Sequence, residues 1–131
     1  PLLDRLDIHI EVPPVDFDDL SKTAEEEPSA AIKARVDKAR TVQRERFAGT
    51  GISCNAKMDA AMTRIFCAPT PAAAQLLKQV FERLGLSARA YDKILRVART
   101  IADLAGDEQV DVPHVAEAVQ YRSLDRKFWK A

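Results

Sequence analysis

Three helices with clear boundaries occupy the second half of the chain and constrain its fold more than any other feature. The first helix has Thr70 as its N-cap and Pro71 at its first position, and Gly85 is a typical stop for it. Ser87 is a typical N-cap for the next helix, which Gly106 ends, and Pro113 lies near the start of the third. Because the connections are short, this pattern predicts helices packed together as an all-α bundle.

Each of these helices carries an apolar stripe at helical spacing, which predicts the face that it buries. The stripes are Leu76, Leu77, Val80, Phe81 and Leu84; Tyr91, Ile94, Leu95, Ala98, Ile101, Ala102 and Leu104; and Val115, Ala118, Val119 and Leu124. Tyr121, Phe128 and Trp129 are expected to pack at the far end of the last helix.

Two more helices are predicted in the first half, separated by a loop over residues 48–57. The earlier one runs from Ser29 as N-cap towards Gly49, with Ile32, Val36, Ala39, Gln43 and Phe47 on its stripe. It is the most basic helix of the chain, with Lys33, Arg35, Lys38, Arg40, Arg44 and Arg46. This pattern is typical of a solvated face, and a nucleic-acid or phosphate contact is the alternative. A short helix from Met58 towards Pro69 follows the loop.

The N-terminal segment has a different pattern. Leu6, Ile8, Ile10 and Val12 alternate with polar residues until Pro13, which predicts a β-strand with one buried face. A single strand needs partners, so we expect residues 1–15 to be the end of a larger sheet domain and residues 16–131 a helical domain. A short helix near residues 17–20 and an acidic loop are predicted between them.

Composition excludes several classes of function. Twenty Lys and Arg balance twenty Asp and Glu among 131 residues, so no global field attracts a polyanion. Cys54 and Cys67 form no disulfide framework, and with His9 and His114 they have no metal-ligand spacing, so no metal site is expected. Free thiols indicate a reducing, cytoplasmic compartment. No membrane span or signal peptide is seen, and the absence of an initial Met suggests a fragment.

The chain also lacks the usual catalytic motifs, because it contains no nucleophile elbow, no H-E-x-x-H and no Walker loop. What remains are arginines at the ends of elements. Arg5 precedes the predicted strand, and Arg89 lies in the first turn of a helix, where the dipole favours an anion. Arg99 and Asp103 are one helical turn apart and are expected to form a structural pair.

The segment LGLS, residues 84–87, between two helices also resembles the corner of a helix-turn-helix. A DNA-binding helical module without an ATPase role is therefore an alternative. The helix that follows the corner carries Asp92 and Asp103 among its basic residues, whereas a recognition helix presents donors to base edges. The pattern favours a structural helix over a recognition helix.

Several blocks in order resemble the C-terminal region of magnesium-chelatase-like AAA+ ATPases, in particular the ComM and YifB family. The blocks are LLDRLDIHIEVP, AIKARVDKARTVQRERF, NAKM, SARAYDKILRVARTIADLAG and VAEAVQYRSLDRKFW. The resemblance covers essentially the whole chain. It implies the helical lid that follows a P-loop ATPase core, in hexameric rings with ATP and Mg²⁺ between subunits.

The resemblance also implies roles for two arginines. Arg5 matches the arginine finger, a catalytic group that acts in trans on the γ-phosphate of a neighbouring subunit. Arg89 matches the sensor-2 arginine, which binds nucleotide, in cis or in trans. The implied partners are the upstream ATPase core, neighbouring subunits and DNA, but no membrane. The chain alone is expected neither to bind ATP tightly nor to hydrolyse it, whereas the full-length parent is expected to be an ATP hydrolase.

Overall fold

A computed structural model describes residues 5–10, 12, 14, 16–20 and 26–122. It confirms an all-α bundle. The helices are α1 Phe17–Leu20, α2 Ser29–Arg46, α3 Ala60–Phe66, α4 Pro71–Leu84, α5 Ala88–Ala105 and α6 Val112–Gln120, with a 3₁₀ turn at Asn55–Lys57. The five helices predicted from the apolar stripes correspond to α2–α6. Leu124, Phe128 and Trp129, which were predicted to pack near the end, lie outside the described residues.

The helix boundaries follow the capping residues of the second half. Thr70 accepts from the backbone N–H of Ala73 at 3.2 Å, and Ser87 accepts from Ala90 at 3.1 Å. Gly85 and Gly106 end their helices with φ of 61° and 76°, in the left-handed region that a residue with a Cβ rarely adopts. These predicted caps and stops are therefore confirmed.

The boundaries in the first half differ slightly from those predicted. Pro28 occupies the N-cap position of α2, so Ser29 is its first helical residue rather than its cap. The side chain of Asp59 caps α3 by accepting from the N–H of Met62 at 2.8 Å, which moves the start of that helix past Met58. Local hydrogen bonds decide both positions.

The starts of α4 and α6 are joined through their caps. The hydroxyl of Thr70 donates to the carboxylate of Asp111 at 2.8 Å, and the N–H of Thr70 donates to the carbonyl of Val110 at 2.9 Å. The Thr70 hydroxyl and the N–H of Val112 lower the pKa of Asp111. Because their first turns are tied together, α4 packs mainly against α6, and it meets α5 at the edge-to-face ring pair of Phe81 and Tyr91.

The core lies around α5, which contacts α2, α3, α6 and the 3₁₀ turn. Its most buried apolar side chains are Phe47, Cys67, Ala73, Leu77, Ile94, Leu95, Ala98, Val110, Val115 and Ala118. Phe47 meets Phe66 edge to face with ring centroids 5.2 Å apart. The central position of α5 fixes the places of the residues that it carries.

Burial gives the two cysteines different reactivity. Cys67 is fully buried, and burial raises the pKa of its thiol from 9.0 to about 11. About one thiol in a thousand is then ionised at pH 8. We expect iodoacetamide at pH 8 to alkylate the partly exposed Cys54 at least about 100-fold faster than Cys67, as measured by peptide mass spectrometry. Equal rates in guanidinium are the control, and equal rates in the native protein would contradict the packing of Cys67.

The prediction of a strand in the N-terminal segment is wrong for its described residues, 5–10 and 12. Residues 5–10 form one isolated bridge, in which His9 pairs with Arg122, and no ladder follows. The buried face is also the opposite one, because His9 is 6% exposed whereas Leu6, Ile8, Ile10 and Val12 are exposed. No neighbouring strand covers the apolar face here, and the backbone pairs with the end of α6 instead.

Candidate functional site

Arg89 is the second residue of α5, directly after Ala88, which begins the helix. Its side chain is exposed and makes no hydrogen bond or ion pair within the part of the chain that the structure describes. The helix has 18 residues, and its dipole places partial positive charge at this end. A guanidinium here can bind an anion through two parallel hydrogen bonds.

The N-terminal segment lies against the same end of α5. Lys93, one turn after Arg89 on the same face, donates to the backbone carbonyl of Arg5 at 3.2 Å and to the carboxylate of Asp7 at 2.5 Å. The structure thus brings the backbone of Arg5 into contact with Lys93, the residue one helical turn after Arg89. The Arg5 side chain is exposed.

Two further contacts hold this segment at the end of α6. Arg122 donates to the carbonyl of Leu6 at 2.9 Å, and the N–H of His9 donates to the carbonyl of Tyr121 at 2.7 Å. Helix α5 and the end of α6 therefore position the backbone around Arg5, and none of these contacts uses its guanidinium. That group is left available to something outside the described chain.

The other half of α5 contains a buried ionic network centred on Asp103, which joins this half of the helix to its neighbours. The side chain of Asp103 is 0% exposed and accepts from Arg99 Nε at 3.2 Å, which confirms the predicted pair. Arg46 at the end of α2 also donates to both oxygens of Asp103, at 2.6 and 2.9 Å. Hydrogen bonding to Asp103 raises the pKa of Arg46. The carboxylate is thus shared by two arginines.

Asn55 in the 3₁₀ turn completes this network. Its amide nitrogen donates to Asp103 at 2.9 Å and to the Thr100 hydroxyl at 3.0 Å, while its own N–H donates to Gln43 at 2.9 Å. Sequence reasoning missed the roles of Arg46 and Asn55. The only signal was Gln43, a polar residue on an otherwise apolar stripe.

Arg99 extends the network to the start of α6. Its guanidinium donates to the carbonyls of Asp107 and Glu108 at 2.7 and 2.8 Å. Nδ1 of His114 accepts from the N–H of Asp111 at 2.9 Å, so Nε2 carries the proton that bridges to Asp107 at 2.7 Å. Arg46 and Arg99 are therefore structural cations, whereas Arg89 and Arg5 take no part in this network.

The basic helix α2 presents fewer available cations than its sequence suggests. Lys33 pairs with Asp37, Arg35 with Glu27, and Arg46 with Asp103. Lys38, Arg40 and Arg44 are exposed and form no ion pair with a described carboxylate. The hydrogen bond from Lys33 lowers the pKa of Asp37, and the charges of Arg40 and Arg44 add to this. A solvated face accounts for most of the helix, and a polyanion contact has only these three cations.

The structure also weakens the helix-turn-helix alternative. A recognition helix must place one whole face in a groove of DNA. In contrast, α5 is the central helix, and seven of its side chains are buried: Ala90, Ile94, Leu95, Ala98, Arg99, Ala102 and Asp103. Part of its remaining surface is covered by residues 5 and 7, to which Lys93 of the helix donates hydrogen bonds.

Among the described residues, no group of three or more His, Cys, Asp or Glu is arranged to hold a metal ion. Within the same residues, no helix has the length and apolar character that crossing a membrane requires.

Comparison with known proteins gives consistent results. The sequence pattern of the family "Magnesium chelatase, subunit ChlI C-terminal" matches residues 26–122. The chain is 41% identical to the competence protein ComM of Haemophilus influenzae over 99% of its own length, and 40% identical to the protein YifB of Escherichia coli over 96%. A Mycobacterium bovis protein, Mb2921c, is 33% identical over 93%. The chain spans about a quarter of the length of these relatives. It therefore belongs to the magnesium chelatase ChlI C-terminal family, in its ComM and YifB branch.

Proposed function

We propose that the chain is the helical lid of a cytoplasmic AAA+ ATPase that couples ATP binding and hydrolysis in a ring to the remodelling of DNA. Its partners are the upstream ATPase core and the neighbouring subunits. The family supports the lid assignment, and a relative named as a competence protein supports DNA as the substrate.

The observation that carries the proposal is the contrast between the two ends of α5. At one end Arg89 is exposed and unpaired within the described chain. At the other end Asp103 fixes the helix to α2, and Arg99 fixes it to the loop before α6. A helix fixed at its far end moves as one body with the bundle. A phosphate that binds Arg89 can therefore displace the whole domain, which is the action of a lid.

The two exposed arginines fit the phosphates of a nucleotide. ATP with Mg²⁺ supplies, when bound, the phosphoryl group that water attacks. Arg89 would bind a phosphate oxygen, on its own subunit's nucleotide or on a neighbour's, and would report nucleotide state to α5. Arg5 would act on the neighbour's γ-phosphate and stabilise negative charge there in the transition state. Both roles need a planar, permanently charged donor, which Arg provides.

We expect Arg89→Ala in the full-length protein to lower ATP turnover about 100-fold, because one charge-stabilising donor is lost. Arg89→Lys keeps the charge but not the two-pronged geometry, and should recover only part of the rate. Steady-state phosphate release at saturating ATP is the measurement.

Arg83→Ala is the matched control, since Arg83 is also exposed and lies in the last turn of α4, just before the same corner. It should keep full turnover, and both variants should melt at the wild-type temperature. Unchanged turnover in Arg89→Ala would remove Arg89 from the proposed site.

A further inference from the structure

A groove between α2, the 3₁₀ turn and α5 has no place in the proposed nucleotide site. It encloses about 460 Å³. The apolar side chains of Val36 and Leu104 line it together with Arg40, Arg44, Cys54 and Thr100. Val36 and Leu104 are exposed apolar side chains, and a second apolar groove of about 300 Å³ adjoins along Leu104. We call the larger one the basic groove.

The charge of the basic groove has one sign. No Asp or Glu is among the described residues that line it. Arg44 donates only to the hydroxyl of Thr41, at 3.2 Å, and Arg40 has no hydrogen bond to a described residue. Their charges act on the carboxylate of Asp37, which is exposed and hydrogen-bonded to Lys33. An apolar surface with two exposed guanidiniums fits a ligand that is both apolar and acidic.

The chain itself contains such a segment in residues 10–20, which we call the acidic arm. Its sequence, IEVPPVDFDDL, carries Glu11, Asp16, Asp18 and Asp19 and no Lys, Arg or His. Phe17 in α1 is 83% exposed, and Ile10 and Val12 are also exposed. A large aromatic side chain left in water is a typical anchor for a protein contact.

We propose that the basic groove binds the acidic arm of a second copy of the chain, with Phe17 against its apolar side chains and the aspartates facing Arg40 and Arg44. In a single chain the side chain of Phe17 lies in solvent, and so do Val36 and Leu104 of the groove. Because the arm and the groove are different surfaces, the contact is head to tail and can repeat around a ring. It requires no ATP hydrolysis and goes beyond the proposed function.

A direct test uses a fluorescent peptide of residues 10–20 and the 131-residue chain, with binding followed by anisotropy. Saturable binding is expected. A peptide with Phe17→Ala should bind at least about ten-fold more weakly, because its main apolar contact is lost. The chain variant Arg40→Glu/Arg44→Glu should lose binding to a similar degree, with an unchanged circular dichroism melt because both side chains are exposed.

Lys38→Glu, compared with the single variant Arg40→Glu, is the matched control. Both change the charge by two units on the same exposed helix, but Lys38 does not line the groove. Lys38→Glu should stay within about two-fold of wild type, since it changes only screened long-range charge. An equal loss in the two variants, or no saturable peptide binding, would overturn the proposal. Displacement of the peptide by a lower concentration of an oligothymidylate would overturn it in favour of a nucleic-acid groove.

A charge exchange tests whether the arm comes from another copy. The variants Arg40→Glu/Arg44→Glu and Asp16→Lys/Asp18→Lys should each sediment as monomers, because arm and groove then carry like charges. Mixed together, each variant offers the charge that the other lacks, so the mixture should associate in sedimentation velocity. A mixture that remains monomeric at concentrations where the wild type associates would refute binding between copies. A wild type that stays monomeric while Phe17 is protected would indicate docking within one chain, and would refute it too.

Discussion

Asp103→Ala is expected to lower the free energy of unfolding by about 3–5 kcal/mol, the cost of leaving buried charge without its partner. The carboxylate is 0% exposed, and it is the acceptor shared by Arg46, Arg99 and Asn55. The side chains of Arg46 and Arg99 are 14% and 6% exposed, so neither guanidinium can recover its hydration without opening the bundle. Urea unfolding followed by circular dichroism measures the loss.

Asp92→Ala is the matched control, because it makes the same chemical change on the same helix. Asp92 pairs with Arg64, whose side chain is 55% exposed, so water replaces the lost contact. That loss should be about 1 kcal/mol or less. If Asp103→Ala and Asp92→Ala destabilise the protein equally, the network around Asp103 is not the lock that the geometry indicates.

The helix ends were predictable because the interactions that set them are local. Thr70 and Ser87 each bond to an N–H three residues ahead, and Gly85 and Gly106 each supply a backbone conformation at one position. The Arg99–Asp103 pair was predictable for the same reason, since residues four apart share a helix face. In each case the interacting residues lie within one helical turn in sequence.

The errors came from contacts between residues far apart in sequence. Arg46 resembled the other cations of its helix, and only the approach of residue 103, 57 positions later, makes it structural. The apolar alternation from Leu6 to Val12 predicts a strand, but a strand needs a neighbour to cover its face. In the described chain His9 is buried instead, because the segment pairs with the end of α6.

The candidate site was predictable in part. Its position at the start of a helix marked Arg89, and the structure leaves that side chain exposed. The docking of the Arg5 backbone onto Lys93 depends on residues 88 positions apart, so no local pattern could have indicated it. The roles of Arg5 and Arg89 remain predictions from family resemblance.

Arg5→Ala in the full-length protein should lower ATP turnover about 10³-fold or more, the effect typical of an arginine finger. The change should leave the fold intact, because the segment is held through the carbonyl of Arg5 and not through its side chain. ATP affinity should change much less than turnover, since a finger acts on charge that develops in the transition state. Single-turnover hydrolysis and nucleotide binding separate the two, with Arg83→Ala as the exposed control. Full turnover in Arg5→Ala would exclude the finger.

Mixed rings test the action of Arg5 on a neighbour. Arg5→Ala mixed in equal amounts with a parent variant that cannot bind nucleotide should regain about a quarter of wild-type turnover, because a quarter of the subunit interfaces then pair an intact finger with an intact nucleotide site. No recovery would refute action in trans. Mixing Arg5→Ala with Arg89→Ala then locates Arg89. Recovery means that Arg89 serves its own subunit's nucleotide, since the two defects lie on opposite sides of each interface. If both arginines reach the same neighbour, every interface lacks one of them and the mixture stays inactive.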